Sequence, residues 1–380
     1  MNVLFLLFLL SLTVGQLISI PVGPGVFLYA HDFVLALFLV VGFGLVLQKK
    51  RLNKPKLLLP IAGFIGISIV SLLLNLPQFG LVGTLQSSLY LVRWMMYAAL
   101  YVLFTQQIID GDMVTWGLYG YGTLLCLFGV IQFFLYPDLR LLMYLGWDPH
   151  FYRLFSTLFD PNFAGILICV TMFLGVWIYE KKHYWWLAVA LFLNGISLYL
   201  TYSRSSYLAF VAGFIVWILF YKKWTVGIVS IVIGILILLV PTPGGKTLSL
   251  FRADSTFARV GNWQESVGII ASSPIIGHGF DTLRFLTSKS SASGGNTFIS
   301  HAAAGLDSSL LFVWATSGIM GLVVYLWFIY EIVKTYWKRT WLVTAAIAAL
   351  VTHSIFVNSL FYAWVMLWVW MLLGTFESRR

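Results

Sequence analysis

Charge is the scarcest commodity in this chain: Asp, Glu, Lys and Arg make up 9% of 380 residues, against 60% hydrophobic ones. With a mean hydropathy of +0.92, no soluble domain could hide so much apolar side chain, and a polytopic membrane protein follows. Cysteine is nearly missing as well. Cys126 and Cys169 both fall inside apolar runs, where they read as small packing residues rather than a disulfide pair or a metal site. There is no Walker A loop, no Rossmann glycine fingerprint and no His-Glu-x-x-His, so the motif-borne nucleotide and zinc chemistries are not signalled. Asp110-Gly-Asp112 has the spacing of nucleotide-sugar metal ligands but sits in a minimal turn. The first 20 residues lack a basic start, so they are expected to form a first span rather than a cleaved signal peptide. No soluble domain and no low-complexity tail are expected.

What the chain does have is apolar runs, at about 3–20, 32–48, 56–76, 88–107, 113–136, 162–180, 184–201, 205–221, 224–241, 306–331, 340–357 and 359–376. The expected fold is an all-α integral membrane protein of about 12 transmembrane helices. Residues 1–150 form its N-terminal half and 151–380 its second half, including a large extracytoplasmic helical loop over 242–305. With the N-terminus cytoplasmic, the short inner connections carry most of the 23 Lys and Arg, among them Lys49, Lys50, Lys181, Lys182, Lys222, Lys223, Lys338 and Arg339. This is the positive-inside pattern, with both termini cytoplasmic. It also accounts for the net charge of +10, so nucleic acid is not an expected partner; membrane lipids are.

The outer arginines run against that trend. Polar sequence concentrates in a loop at 137–161, with Arg140, Asp148, His150, Arg153 and Asp160, and in the loop at 242–305. Loops this long usually carry function or lack order. In the second, Asp254 or Ser255 can cap a helix that Ser273-Pro274 stops. Phe257, Val260, Val267 and Ile270 give that helix an apolar side, and it is expected to lie over the membrane face.

Arg204 stands between two spans in Ser203-Arg204-Ser205-Ser206, so its guanidinium sits near the headgroup level. It is a functional candidate by cost or a snorkelling residue. The serines make the turn rich in donors, and the following helix adds a positive dipole end suited to phosphate. Arg259, with Arg252 upstream and Trp263 on the same helix face, is either a solvated helix arginine or one prong of a bidentate phosphate grip. Asp307 opens a span, as a helix cap or as a general base. His301 is an alternative base, while His278, between two glycines, reads as a turn residue. Arg93, inside the fourth span, has three readings: an ion pair across the bundle, a substrate contact, or snorkelling. Asp160-Pro161 reads as a helix start, and Asn162 can face the same outer cavity.

Taken together these motifs resemble the O-antigen ligase and O-antigen polymerase superfamily of bacterial inner-membrane proteins. The matching residues are Ser203-Arg204-Ser205 before a span, Arg259-x-x-x-Trp263, and Pro274-x-x-Gly277-x-Gly279-Phe280. To these are added a polar residue eleven positions before Gly318-Ile-Met-Gly321, and His353-Ser-Ile-Phe-Val-Asn358 before a Trp-rich span. The resemblance is strongest over about 155–376. It implies a GT-C-like fold and an inverting, metal-independent glycosyltransferase of the bacterial inner membrane, with no cofactor and its active site facing the periplasm. The implied donor is a lipid-linked oligosaccharide on polyprenyl (undecaprenyl) pyrophosphate, the other partner an acceptor glycan, with a chain-length regulator as a further candidate. By resemblance, Arg204 and Arg259 grip the pyrophosphate. Ligases carry a histidine where this chain has Asp307-Ser308, whereas some polymerases have Asp there; a polymerase of surface polysaccharide is therefore expected ahead of a ligase acting on lipid A–core. The alternative of a different class is a multi-pass transporter or flippase. Against it, no paired Gly/Pro-broken helices occupy matching positions in the two halves.

Overall fold

The computed structural model describes residues 1–23, 26–50, 52–225, 254–290 and 305–378. Helices dominate it: α1 (Asn2–Thr13), α2 (Ala30–Leu47), α3 (Leu58–Leu74), α4 (Leu76–Thr105), α5 (Gly111–Leu135), α6 (Pro161–Lys182), α7 (Trp185–Leu200) and α8 (Arg204–Tyr221). After the undescribed 226–253 follow α9 (Asp254–Ser272), α10 (Leu283–Ser290), α11 (Ser309–Tyr336), α12 (Trp341–Ser354) and α13 (Ala363–Ser378). A hairpin of β1 (Ser19–Gly23) and β2 (Val26–Tyr29) pairs antiparallel, Ser19 with Tyr29 and Ile20 with Leu28. Among the described residues, six helices (α2, α4, α5, α6, α8 and α11) are long and apolar enough to cross a membrane. Another five, α1, α3, α7, α12 and α13, are apolar but shorter. The expected run at 224–241 lies outside the described residues from 226 onward.

The first expected span, 3–20, is cut short. Helix α1 ends at Thr13, and at about 18 Å it cannot cross a hydrocarbon core of about 30 Å unaided. The chain turns at Gly15, whose φ of +62 suits glycine and whose Cβ, if present, would lie 2.3 Å from the Thr157 carbonyl oxygen. The next residue, Gln16, donates its backbone N–H to that same oxygen at 2.8 Å.

Hydrogen bonds gather the connections into two sets. At one end, Gln16 Nε2 donates to the Leu158 carbonyl at 3.1 Å and to the Tyr362 hydroxyl at 2.9 Å, joining three connections. At the other, Asn53 Nδ2 donates to Thr105 O, Lys56 N to Glu377, and Trp341 Nε1 to Glu180. Between the ends, α12 packs along α8, α13 along α4 and α11 along α3, so helices of the two sequence halves interleave. Cys126 and Cys169 are free and buried, and Asp110 caps α5 through the Asp112 and Met113 amides.

Two motifs distant in sequence form one structure. Helix α11 breaks at Gly318, with φ +67, and the turn after α9 docks into the break. His278 N–H and Gly279 N–H donate to Ala315 O and Thr316 O, both at 2.9 Å, and Ile319 N–H donates to Pro274 O at 2.9 Å. The backbone groups freed by the break are thereby satisfied, as burial requires. Helix α9 stops at Ser272, as the Ser-Pro pair predicts. His278 closes its end, with Nε2 2.9 Å from Ser272 Oγ and 3.0 Å from Ile269 O. On the expected apolar side of α9, Ile270 is buried while Val267 is exposed; the side chains of Phe257 and Val260 are outside the described set.

Candidate active site

Helices α6 and α8 start side by side. Asp160 caps α6, its Oδ1 accepting from Asn162 N–H at 2.6 Å and Phe163 N–H at 3.3 Å. Pro161 occupies the first turn, where a missing N–H costs nothing. Ser203 caps α8 by accepting from Ser206 N–H, and its hydroxyl donates to Asn162 Oδ1 at 2.9 Å. Ser205 and Ser206 hydroxyls lie 3.2 and 3.3 Å from His353 Nε2 on α12. The three serines are essentially fully buried, so the expected donor-rich cup for phosphate is corrected: these hydroxyls brace α6, α8 and α12 against one another. Arg153, buried as well, locks the same corner by donating from Nε to Thr201 O at 2.9 Å.

Arg204 is the first helical residue of α8, and it lies near enough to Arg259 for its charge to oppose protonation there. Burial first, and then Arg204, push the Arg259 guanidinium below its ordinary range, while the Asp307 and Asp160 carboxylates pull the other way. Arg259 projects from α9 with its guanidinium carbon 5.7 Å from the Phe356 ring centre. Trp263, one turn on, stacks on the same ring at 6.4 Å and 23°. Asp307 does not cap a helix. Ser308 is the N-cap of α11, and the Asp307 carboxylate instead accepts from Asn262 Nδ2 on α9 at 2.7 Å.

Part of this set faces a cavity of about 510 Å³. Asn162, Arg259 and Asp307 line it; Ser203, Ser205, Arg204 and Trp263 do not. Arg204 stands beside the lining through Arg259, Trp263 behind it through Phe356. His301 and Arg252 lie outside the described residues. The cavity floor is a run of rings: Tyr29 meets Trp364 at 5.1 Å, Trp364 meets Tyr362 at 5.1 Å, and Tyr362 stacks on Phe163 at 3.7 Å.

Several lining residues were not singled out from sequence as site candidates: Asp148, Asp281, Arg284, Tyr90 and Asn358. Asp148, although exposed as a residue, has its carboxyl pushed up to about 6 by desolvation at the cavity wall and then by the neighbouring Asp160 and Asp307 carboxylates. Its ligand atom, with those of His150 and Asp160, lies in a group within 4.8 Å of one another, although Asp160 already serves as a helix cap. Arg93 resolves to an ion pair with Asp32 at 2.9 Å. Two opposite charges inside apolar runs, at 32–48 and 88–107, were the available signal for that pair. The remainder come from loops and helices far apart in sequence.

Comparison with known families gives a match over residues 187–326 to a family described as O-Antigen ligase. That stretch holds the Ser203–Ser206 turn, Arg259, the Pro274–Phe280 turn, Asp307 and Gly318. No curated protein matches the chain.

Proposed function

We propose that this chain, whose residues 187–326 match a family described as O-Antigen ligase, is a membrane glycosyltransferase that polymerises lipid-linked repeat units of a surface polysaccharide. The donor is a glycan on polyprenyl (undecaprenyl) pyrophosphate, and the reaction runs on the outer face of the cytoplasmic membrane. One observation carries the reading: Arg259, with the charge of Arg204 beside it, faces a roomy cavity whose wall also offers the Asp307 carboxylate.

The chemistry follows from those groups. An acceptor hydroxyl attacks the anomeric carbon of the donor sugar, forming the new glycosidic bond. The bond from that carbon to the pyrophosphate oxygen breaks, and its electron pair leaves with the phosphate. Asp307 takes the hydroxyl proton as attack proceeds. Arg259 holds the leaving diphosphate, where a guanidinium fork matches phosphate oxygens in pairs, and the charge of Arg204 beside it adds to the field on the leaving group. Fixed cations in a shielded site stabilise that charge without reorganising. A single displacement inverts the anomeric centre, and no step calls on a metal.

The second reading, a ligase that hands the glycan to lipid A–core, is favoured by the family description itself. Purified protein incubated with a lipid-linked repeat unit, with and without lipid A–core, separates the two. A ladder from donor alone is the polymerase outcome, product only with core the ligase outcome. No transfer in either tube sinks both and leaves transport as the reading.

A further inference from the structure

The cavity holds two groups of charges, each interacting within itself. Arg259 responds to Arg204, Asp307 and Asp160. Asp281 responds to Arg284 and Arg93. The first group is the donor grip proposed above; the second has no role there. From the second group we infer that Asp281, Arg284, Arg93 and the Tyr90 and Tyr29 rings form the acceptor-sugar subsite, in which Asp281 Oδ2 accepts a hydrogen bond from a hydroxyl or amide N–H of a pyranose. The inference rests on the glycosyltransferase reading and adds where the second substrate sits.

Four observations support it. Asp281 Oδ2 is buried with no hydrogen-bond partner among the described residues, although Asp281 lines the cavity. A buried acceptor left unmatched is unfavourable, and a ligand donor would recover that loss. Its backbone sits at φ +58, a strained setting that is held in place by the Ser87 hydroxyl donating to Asp281 O at 3.2 Å. The surrounding wall is prebuilt. Arg93 is pinned by Asp32 at 2.9 Å and lies 5.6 Å from both the Tyr29 and Tyr90 ring centres. Arg284 donates to the Tyr90 hydroxyl at 3.2 Å. Finally, the ring-lined floor runs from Tyr29 through Trp364 and Tyr362 to Phe163, next to Asp160. Apolar pyranose faces pack on aromatic rings while their hydroxyls need directed polar partners, and this end of the cavity supplies both. Burial holds the Asp281 carboxyl up at about 7, against the pull of Arg284 and Arg93, so near neutrality it can accept from a hydroxyl without a full unpaired charge.

The test uses the intact protein in detergent, with the lipid-linked repeat unit accumulated by cells that lack it as donor. The free oligosaccharide released from that lipid by mild acid serves as acceptor, since it can receive but not donate. Asp281→Ala, which removes the acceptor that an Asn amide oxygen would keep, is expected to raise the acceptor KM about tenfold, leaving donor KM and kcat within about twofold. Tyr90→Leu, which removes a ring but no carboxylate, is expected to raise acceptor KM likewise, and carries the test if the first variant melts. Unchanged acceptor KM in the folded variants, alongside a donor KM that responds to Arg259→Ala, overturns the subsite and leaves the donor reading standing. A hundredfold or greater fall in kcat at unchanged KM overturns it too, making Asp281 the proton acceptor. Wild-type protein that never consumes the lipid-linked unit removes the glycosyltransferase reading and the subsite together.

Discussion

Replacing Asp307 by asparagine asks a question the geometry makes clean. The side chain keeps its size and loses the ability to take a proton. Among the described residues its structural partner is a single bond, Asn262 Nδ2 to Asp307 Oδ2 at 2.7 Å, and the remaining amide oxygen of Asn can accept that bond. The Asp307 carboxylate is not the cap of α11, since Asp307 lies one residue before the N-cap position, Ser308. Trading a charge-assisted bond for a neutral one costs about 1 kcal/mol or less, a fall in Tm of a few degrees at most. Losing the general base should lower kcat by about 10²–10⁴, equal to roughly 3–5 kcal/mol of barrier. The measurement pairs thermal unfolding in detergent with single-turnover transfer from the lipid-linked repeat unit. A variant that melts like wild type and turns over within about threefold of it refutes the assignment of Asp307 as base.

Other predictions follow from the same contacts. Arg259→Ala and Arg204→Ala should each abolish long glycan while the protein still inserts, and Arg259→Lys should recover only part, since it keeps the charge but loses the fork; glycan length on gels reads both. Gly318→Ala should cost about 3–5 kcal/mol, from a left-handed φ of +67 and a new Cβ 1.9 Å from Ile275 O that must break the docking of the 274–279 turn; unfolding in detergent checks it. For Asp281, a folded-state value raised to about 7 means the neutral form favours folding. Its contribution is full below about pH 4 and is lost as pH rises through about 7, so Tm should fall across that window and Asp281→Asn should flatten the fall. Exhaustive chelation should leave transfer unchanged; a loss restored by a divalent ion would instead nominate Asp148, His150 and Asp160.

Much of the site was visible from sequence only as a set of suspects. Arg204 and Arg259 stood out because an outward guanidinium is expensive near lipid, and the fold does bring their charges into range of each other. The serines beside Arg204 looked equally available, yet their hydroxyls are consumed by Asn162 and His353. Asp307 looked like a cap, yet the next residue takes that position. Asp281 carried no local sign at all. Its surroundings come from α4 and α10, and the cavity it faces is lined by residues from Gln16 to Met366.

Composition and apolar periodicity by themselves determined a helical membrane protein, most of its helix positions, and the Ser-Pro stop after α9, because solvation and backbone propensity act locally along the chain. Tertiary structure alone decided that α1 would end at Thr13 before the turn at Gly15, that the 274–279 turn would fill the break at Gly318, and which polar groups would face the cavity. Those outcomes depend on contacts between residues far apart in sequence: whether a carbonyl, hydroxyl or carboxylate is already satisfied is a property of its neighbours in space, and no local pattern encodes them.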